Sequence, residues 1–324
     1  MTDGEEPLPP DFLHRLPQIY APADAHAVRA AFQGERATCF RINPLRVDAS
    51  ARVMAELTAA GLTPQPITGL PEAYWVPTEQ RRTLIDSTPA QSGQLYVQNA
   101  ASMLPALLLA PRSEDWVLDL AAAPGSKTLQ LAGMMANRGR ISAVEVVRGR
   151  FFKLRANLAR HGATNVQFYH KDGIRVGRLV PERFDRVLLD APCSAEGQFQ
   201  TAQPASFAYW SPQKIRDMQR KQRQLLVSAL QCAKPGGLVL YATCTLAPEE
   251  NEVVIDRLLQ RYPQAVDVEA IAPPVGQCRP GLTAWAGHNL DPRLSLARRI
   301  LPDFLMEGFF LCRLRKLMSV GKAG

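Results

Sequence analysis

The sequence predicts a doubly wound α/β protein, a mostly parallel sheet with helices on both faces, preceded by a smaller α+β domain. Three observations carry this. Beyond residue 115 the short β-rich runs "WVLDLAAA", "GRISAVEV", "NVQFYHKD", "RFDRVLLDAP" and "GGLVLYATC" alternate with helical stretches, the pattern of βαβ units feeding a parallel sheet. Between the last two runs, Ile215, Met218, Gln222, Leu225, Ala229 and Ala233 recur three or four apart ahead of Lys-Pro-Gly-Gly, as an amphipathic helix with a terminator does. The first 90 or so residues lack this alternation and hold a helical stretch, "TCFRINPLRVD" and the proline-rich "PQPITGLPEAYWVP".

Taken in order, residues 1–95 are expected to form the small α+β domain and its linker. The stretch "YVQNAASMLPALLLA" reads as a linking helix near the boundary, residues 96–318 as the large domain, and 319–324 as a tail. The closing "EGFFLCRLRK", residues 307–316, alternates apolar and cationic positions at its end and suits a late antiparallel strand completing the sheet.

A 324-residue chain that is 46% hydrophobic and 21% charged buries a sizeable core and is not globally disordered. No apolar run approaches the roughly 20 residues of a membrane span, and the opening "MTDGEEPLPPDF" lacks the basic and apolar regions of a signal peptide. A cytoplasmic protein with no membrane partner is expected. The six cysteines, Cys39, Cys193, Cys232, Cys244, Cys278 and Cys312, include no C-x-x-C pair, so neither a metal site nor a disulfide framework is indicated. A formal charge of +8 favours a polyanionic partner through phosphate contacts, without being specific to one.

"VLDLAAAPGSKTLQLAGMM" is a strand, a loop of small residues and a helix, which presents backbone N–H groups beside strand carboxyl ends, where open α/β sheets bind ligands. A P-loop needs glycine directly before Lys127 and five residues earlier, where Ser126 and Ala121 stand. A dinucleotide fingerprint needs three glycines, and only Gly125 is present. S-adenosylmethionine carries no phosphate and needs room beside the strand and an acceptor for its ribose hydroxyls. Glu145 ends the next strand about 20 residues on, where that acceptor belongs. Arg150, five residues later, is placed with this set. Asp172 is either an acceptor for the adenine amine or a helix-cap aspartate.

The strands ending near Asp190 and Cys244 can be neighbours about 5 Å apart, which would bring Cys193 and Cys244 to one substrate. Each thiol singly reads as a small buried hydrophobe, as do the other four. A methyl donor beside a thiolate suits carbon 5 of a pyrimidine, unreactive until the thiolate adds to carbon 6. The thiolate is the reactive form, so nearby cations or dipoles are expected to tune its pKa. Asp190 could contact the ring nitrogen or exocyclic amine, with help from Lys127, in a pocket that takes an unstacked base. Spacing alone does not rank the thiols, and the cysteine after proline, Cys193, is the attacking residue in DNA cytosine methyltransferases.

"DLAAAPGSKT", "DAPCSAEG" and "YATCTLAPEENE", together with "FRIN", "YVQNAASMLPA" and "EGFFLCRLRK", resemble in order and spacing the motifs of the Nop/Sun-type RNA cytosine-5 methyltransferases over about residues 30–316. The likeness is strongest to the bacterial members that act on small-subunit ribosomal RNA. It implies a Rossmann-like class I methyltransferase fold with an RNA-binding N-terminal domain. It also implies that the cofactor, S-adenosylmethionine, is contacted by Ala121, Ala122, Ala123, Pro124, Gly125, Ser126, Lys127, Glu145, Asp172 and Asp190. By the same resemblance Cys244 is the nucleophile and Cys193 assists product release. Ala195 stands where the family usually has glycine, which implies a stiffer loop beside Cys193. The chain stops at residue 324 without the further C-terminal RNA-binding region of those bacterial members, so transfer RNA joins 16S ribosomal RNA as an expected substrate of a monomeric enzyme. Arg41 in "FRIN" reads either as an RNA contact or as part of an ordinary strand. The alternative of another class is a non-catalytic RNA-binding or ribosome-assembly factor that keeps the fold.

Overall fold

Proline sets the first two helices. In the computed structural model, which describes residues 8–320, α1 (Pro10–Ile19) and α2 (Pro22–Gln33) both begin with it, where its missing N–H costs nothing and its fixed φ is already helical. The acidic opening residues 1–7 and residues 321–324 of the expected tail lie outside the described residues. Phe12, Leu16, Val28 and Phe32 from these helices pack with Phe199, Leu246 and Leu301, against the large sheet's loops.

A four-stranded antiparallel sheet follows, built from β1 (Thr38–Ile42), β2 (Gln65–Pro66), β3 (Ala73–Val76) and β4 (Leu95–Val97) in the order β2-β3-β1-β4. The helices α3 (Ser50–Ala59), α4 (Arg81–Asp86) and α5 (Thr88–Gln91) connect its strands. The expected linking helix begins later than its sequence suggests. Leu95–Val97 pairs with β1, and only at Ala100 does α6 (Ala100–Leu109) start, capped by Asn99 Oδ1 accepting from Ala101 N at 2.9 Å.

The large sheet is laid down by β5 (Trp116–Asp119), α7 (Ser126–Met134), β6 (Arg140–Glu145), α8 (Arg148–Arg160), β7 (Val166–His170), α9 (Gly173–Leu179), β8 (Phe184–Asp190), α10 (Pro212–Cys232) and β9 (Ala233–Thr243). Beyond α11 (Glu252–Arg261) and β10 (Val266–Glu269) come β11 (Cys278–Pro280), the small hairpin of β12 (Ala284–Trp285) and β13 (His288–Asn289), then β14 (Arg298–Ile300) and β15 (Phe309–Lys316). The order is β11-β14-β15-β9-β8-β5-β6-β7. Five adjacent strands, β9 to β7, are parallel, and β15 joins β9 antiparallel, as its sequence predicts. The chain moves outward from β5 to β7 and then returns to β5's other side as β8, which makes the β5/β8 edge the topological switch point where such sheets bind ligands.

Strand periodicity divides the core. Val187, Leu189, Val239 and Tyr241 pack under α9, α10 and α11, whereas Leu188, Leu238, Leu240 and Ala242 pack under α6 and α7, because successive side chains leave opposite faces of a strand. The Lys-Pro-Gly-Gly terminator after α10 is not a free turn. Helix α10 ends at Cys232, and residues 234–237 are drawn into the start of β9, with Gly236 at φ 81° and a register shift against β8. No helix of the described residues is long and apolar enough to cross a membrane.

Candidate active site

The strand ends at the switch point carry the chemistry. Asp119, the last residue of β5, is 1% exposed and accepts from Thr128 Oγ1 at 2.7 Å. Its other oxygen is buried without a partner among the described residues, and burial lifts its pKa to about 7. After it the loop of small residues is held from several sides. Ala122 N donates to Val144 O, Arg150 to Ala123 O at 2.6 Å, and Asn157 to Pro124 O. The Ala123–Pro124 bond is cis. Gly125 sits at φ 107°, where a Cβ would lie 2.9 Å from Leu154 Cδ1, so only glycine fits the turn into α7.

Of the expected cofactor set, Ala121, Ala123, Glu145, Arg150, Asp172 and Asp190 line one cavity with both Cys193 and Cys244. Ala122, Pro124, Gly125, Ser126 and Lys127 do not line it. They shape the loop behind it, and Ser126 O is taken by Arg41 at 3.1 Å. Arg41 is 4% exposed, bonded to Gln98 Oε1 at 2.9 Å and set over the Tyr96 ring. Burial lowers its pKa to about 10. It ties β1 to the loop, so its strand reading holds and its side chain is not an exposed RNA contact. Lys221 and Leu225 of α10 also line the cavity; Leu225 belongs to the core-face spacing read from the sequence, and nothing there marked Lys221 as near a ligand.

Three carboxylates face this cavity, and Arg150, which shares the lining, lies 3.8 Å from Glu145 Oε2. Glu145 Oε1 accepts from Val147 N at 2.7 Å, Asp172 Oδ1 caps α9 by accepting from Ile174 N at 3.1 Å, and Asp190 Oδ2 meets Lys127 Nζ at 2.7 Å. Asp172 is thus both a helix cap and a cavity residue. These acceptors suit a ligand with a cationic part and many hydroxyl and amine donors, and the cations sharing the lining are Arg150 and Lys221. Lys127 Nζ also donates to Ser102 Oγ at 2.7 Å. Burial lowers the Lys127 pKa, and the Asp190 charge more than offsets that, so the net shift is upward.

Strands β8 and β9 pair in parallel with Asp190 opposite Ala242, and the loops beyond them bring Cys193 Sγ to 3.3 Å from Cys244 Sγ. Both thiols are free and part-buried. The hydrogen bond with Cys193, and then burial, hold the Cys244 pKa well above the ordinary thiol value. This direction is opposite to the thiolate-favouring tuning expected, because the hydrogen bond to the second thiol and then burial both favour the protonated form. Cys39 and Cys232 are buried with pKa values pushed up to about 12 by burial, and Cys312 is buried and shifted in the same direction for the same reason. Among the described residues no group of three or more His, Cys, Asp or Glu side chains could hold a metal ion.

The two thiol loops are locked together from behind. Ser194 Oγ and Thr245 Oγ1 are 2.7 Å apart, and Glu250 accepts from Ser194 N at 3.0 Å and Gln222 Nε2 at 2.7 Å. Glu196 accepts from Trp210 Nε1 at 2.9 Å, Thr245 Oγ1 at 3.1 Å and Leu246 N at 3.2 Å. Burial raises both carboxyl pKa values, that of Glu250 to about 7. Ala195, between these anchors, is left-handed at φ 61°, which explains why glycine is expected at this position.

The model for the family described as 16S rRNA methyltransferase RsmB/F matches residues 106–315. The chain is 38% identical over 295 residues to the ribosomal RNA small subunit methyltransferase F of Cronobacter sakazakii, covering 90% of this chain and 59% of that protein. It is 36% identical over 318 residues to the protein of the same name from Pectobacterium carotovorum, covering 97% and 63%. The chain thus spans about 60% of the length of these two relatives. Among solved structures, a methyltransferase homolog protein from Pyrococcus horikoshii superposes with a TM-score of 0.77 at 32% identity, over 96% of this chain and 100% of that one. NSun6 from the same organism, solved with SFG, shares the fold with a TM-score of 0.81 at 21% identity, over 97% and 100%. The chain belongs to the 16S rRNA methyltransferase RsmB/F family.

Proposed function

We propose that this chain is an S-adenosylmethionine-dependent RNA cytosine-5 methyltransferase of the cytoplasm that acts on 16S ribosomal RNA. In this reading Cys244 attacks carbon 6 of the target cytosine and Cys193 assists release. The observation that carries it is the pair of free thiols 3.3 Å apart at the mouth of a cavity lined by three carboxylates. When bound, S-adenosylmethionine supplies an electrophilic methyl group on a sulfonium, and Glu145, Asp172 and Asp190 are the residues that would hold its hydroxyl, amine and positively charged parts. Ala121 and Ala123 leave room beside them.

The chain's own groups order the remaining steps. The Cys244 sulfur bonds to carbon 6 and its proton passes by way of Asp190, which is held by Lys127, to the ring nitrogen, leaving carbon 5 nucleophilic. Lys127 is the cation close enough to feel the charge on Cys244. Once carbon 5 carries the methyl group, Cys193 passes its own proton to water and takes the carbon 5 proton. The carbon 6–sulfur bond breaks, its electron pair returns to Cys244, and the ring nitrogen gives its proton back to Asp190.

Labelled methyl transfer into small-subunit ribosomal RNA, with 5-methylcytosine identified by digestion and mass spectrometry, tests the reading. The Cys244→Ala variant should have no turnover. Label appearing only in transfer RNA would overturn the substrate. Cofactor binding without methylation of any RNA pool would favour a non-catalytic role.

A further inference from the structure

The sheet face covered by α9, α10 and α11 carries a groove of about 580 Å3 that the chemistry above leaves unused. Six arginines line it: Arg175 and Arg178 from α9, Arg220 and Arg223 from α10, and Arg257 and Arg261 from α11. No carboxylate lines it among the described residues. All six are exposed. Arg220 is paired with Asp217, Arg257 bonds to Gln260 Oε1 at 3.1 Å and Arg261 lies over the Tyr262 ring. No ion pair engages Arg175, Arg178 or Arg223 among the described residues. The apolar side chains Ile174, Val227, Val254 and Leu258 share the lining, a low-dielectric wall that concentrates the positive field.

The groove adjoins the reaction site. On neighbouring turns of α10, Lys221 and Leu225 line the cofactor cavity while Arg220, Arg223 and Gln224 line the groove. On α9, Gly173 belongs to the first and Ile174 to the second. From Arg220 to Gln231 the helix runs about 16 Å at 1.5 Å per residue, enough for a few consecutive backbone phosphates. Guanidinium groups match phosphate oxygens in a two-pronged geometry, and six like charges on one groove repel one another until a polyanion neutralises them.

We propose that this groove is a second RNA-docking track, gripping backbone phosphates of the substrate outside the target nucleotide's own pocket. It rests on the RNA methyltransferase reading above. Such contacts fix register and orientation without reading sequence.

The test uses the full chain, a fluorescent transcript of 16S ribosomal RNA and a salt titration from about 50 to about 200 mM. The double variant Arg178→Gln/Arg223→Gln should bind RNA more weakly, with the slope of log affinity against log salt shallower by roughly 1.5, at about 0.7 to 0.9 per lost contact. The charge-matched control Arg112→Gln/Arg138→Gln, at the opposite ends of the strands, should keep the wild-type slope. The dissociation constant for S-adenosylhomocysteine, measured by calorimetry, should stay unchanged in both and shows that the fold is intact. Wild-type affinity and slope in the groove variant, with methylation by the wild type intact, would overturn the docking track alone. An equal loss in the control would overturn it too, by reducing the effect to net charge. A wild-type protein that neither binds nor methylates RNA would overturn both readings.

Discussion

Changing Asp190 to asparagine should cost far more stability than changing its partner Lys127 to methionine. The two members of the pair are unequally buried, with side-chain exposures of 31% for Asp190 and 9% for Lys127. Lys127→Met removes a buried ammonium together with its desolvation cost and leaves a carboxylate that water can reach, so about 0–1 kcal/mol is lost. Asp190→Asn leaves the ammonium buried with neutral acceptors, Ser102 Oγ and the new amide oxygen, so its charge is uncompensated at a cost of about 3–5 kcal/mol. Asp190 is also what holds the Lys127 pKa up against burial. In its absence that pKa falls and the amine can neutralise, so the deficit should shrink as pH rises above neutrality. In the wild type the raised lysine pKa gives a contribution that persists through neutral pH and is lost only as pH climbs through the folded value, above the ordinary ~10.4. The assay is the urea midpoint of both single variants and the double variant at pH 7 and pH 9, with the urea dependence unchanged. The double variant should recover most of what Asp190→Asn loses. Equal midpoints for the two single variants, or an Asp190→Asn deficit that does not narrow with pH, would refute the reasoning. Both single variants should slow methyl transfer by about 100-fold or more.

Thr245→Val removes the hydroxyl that joins Ser194 to Glu196 while keeping the side chain's shape, and leaves Ser194 Oγ, Ala247 N and the Glu196 and Glu250 carboxylates each a partner short. A loss of about 1–3 kcal/mol in urea is expected, together with slower single-turnover methylation as the thiol spacing loosens; a change within ~0.5 kcal/mol would show that the network does not fasten the loops. Ala195→Gly relieves a left-handed alanine that costs about 1–2 kcal/mol, partly offset by the entropy of glycine in the unfolded chain. A small rise in midpoint is therefore expected, and a fall would contradict it. Asp119, with its pKa raised by burial to about 7, favours the folded state most below the ordinary carboxyl pKa of ~3.9, and this advantage is lost as pH rises to about 7. Asp119→Asn should flatten stability against pH across that window, and identical profiles for the two proteins would count against it.

Much of the fold was legible because the alternation of strands and helices is written in local periodicity. The chemistry-bearing strand ends could be placed because parallel strands all present their carboxyl ends on one edge. Asp190 and the two cysteines therefore came together as the neighbouring strands implied. What was not legible depends on loops meeting in space. Nothing local marks Thr245, Glu196 and Glu250 as one buried network, or Arg41 as the tie between the small sheet and Ser126, since Thr245 lies 49 residues from Glu196 and Arg41 lies 85 from Ser126. Lys127 was expected both in the cofactor loop and as help to Asp190, and its side chain meets Asp190 and also Ser102, which nothing in the sequence marked. The Lys-Pro-Gly-Gly signal ended the helix as expected but did not reveal that the next strand would absorb it.

The division of labour between the thiols is tested most directly by the Cys193→Ala protein incubated with 16S ribosomal RNA and S-adenosylmethionine, then analysed on a denaturing gel. A protein–RNA adduct that survives denaturation, carries the transferred methyl group and maps by mass spectrometry to Cys244 is expected. Full turnover by Cys193→Ala without an adduct, or an adduct formed by Cys244→Ala through Cys193, would contradict it.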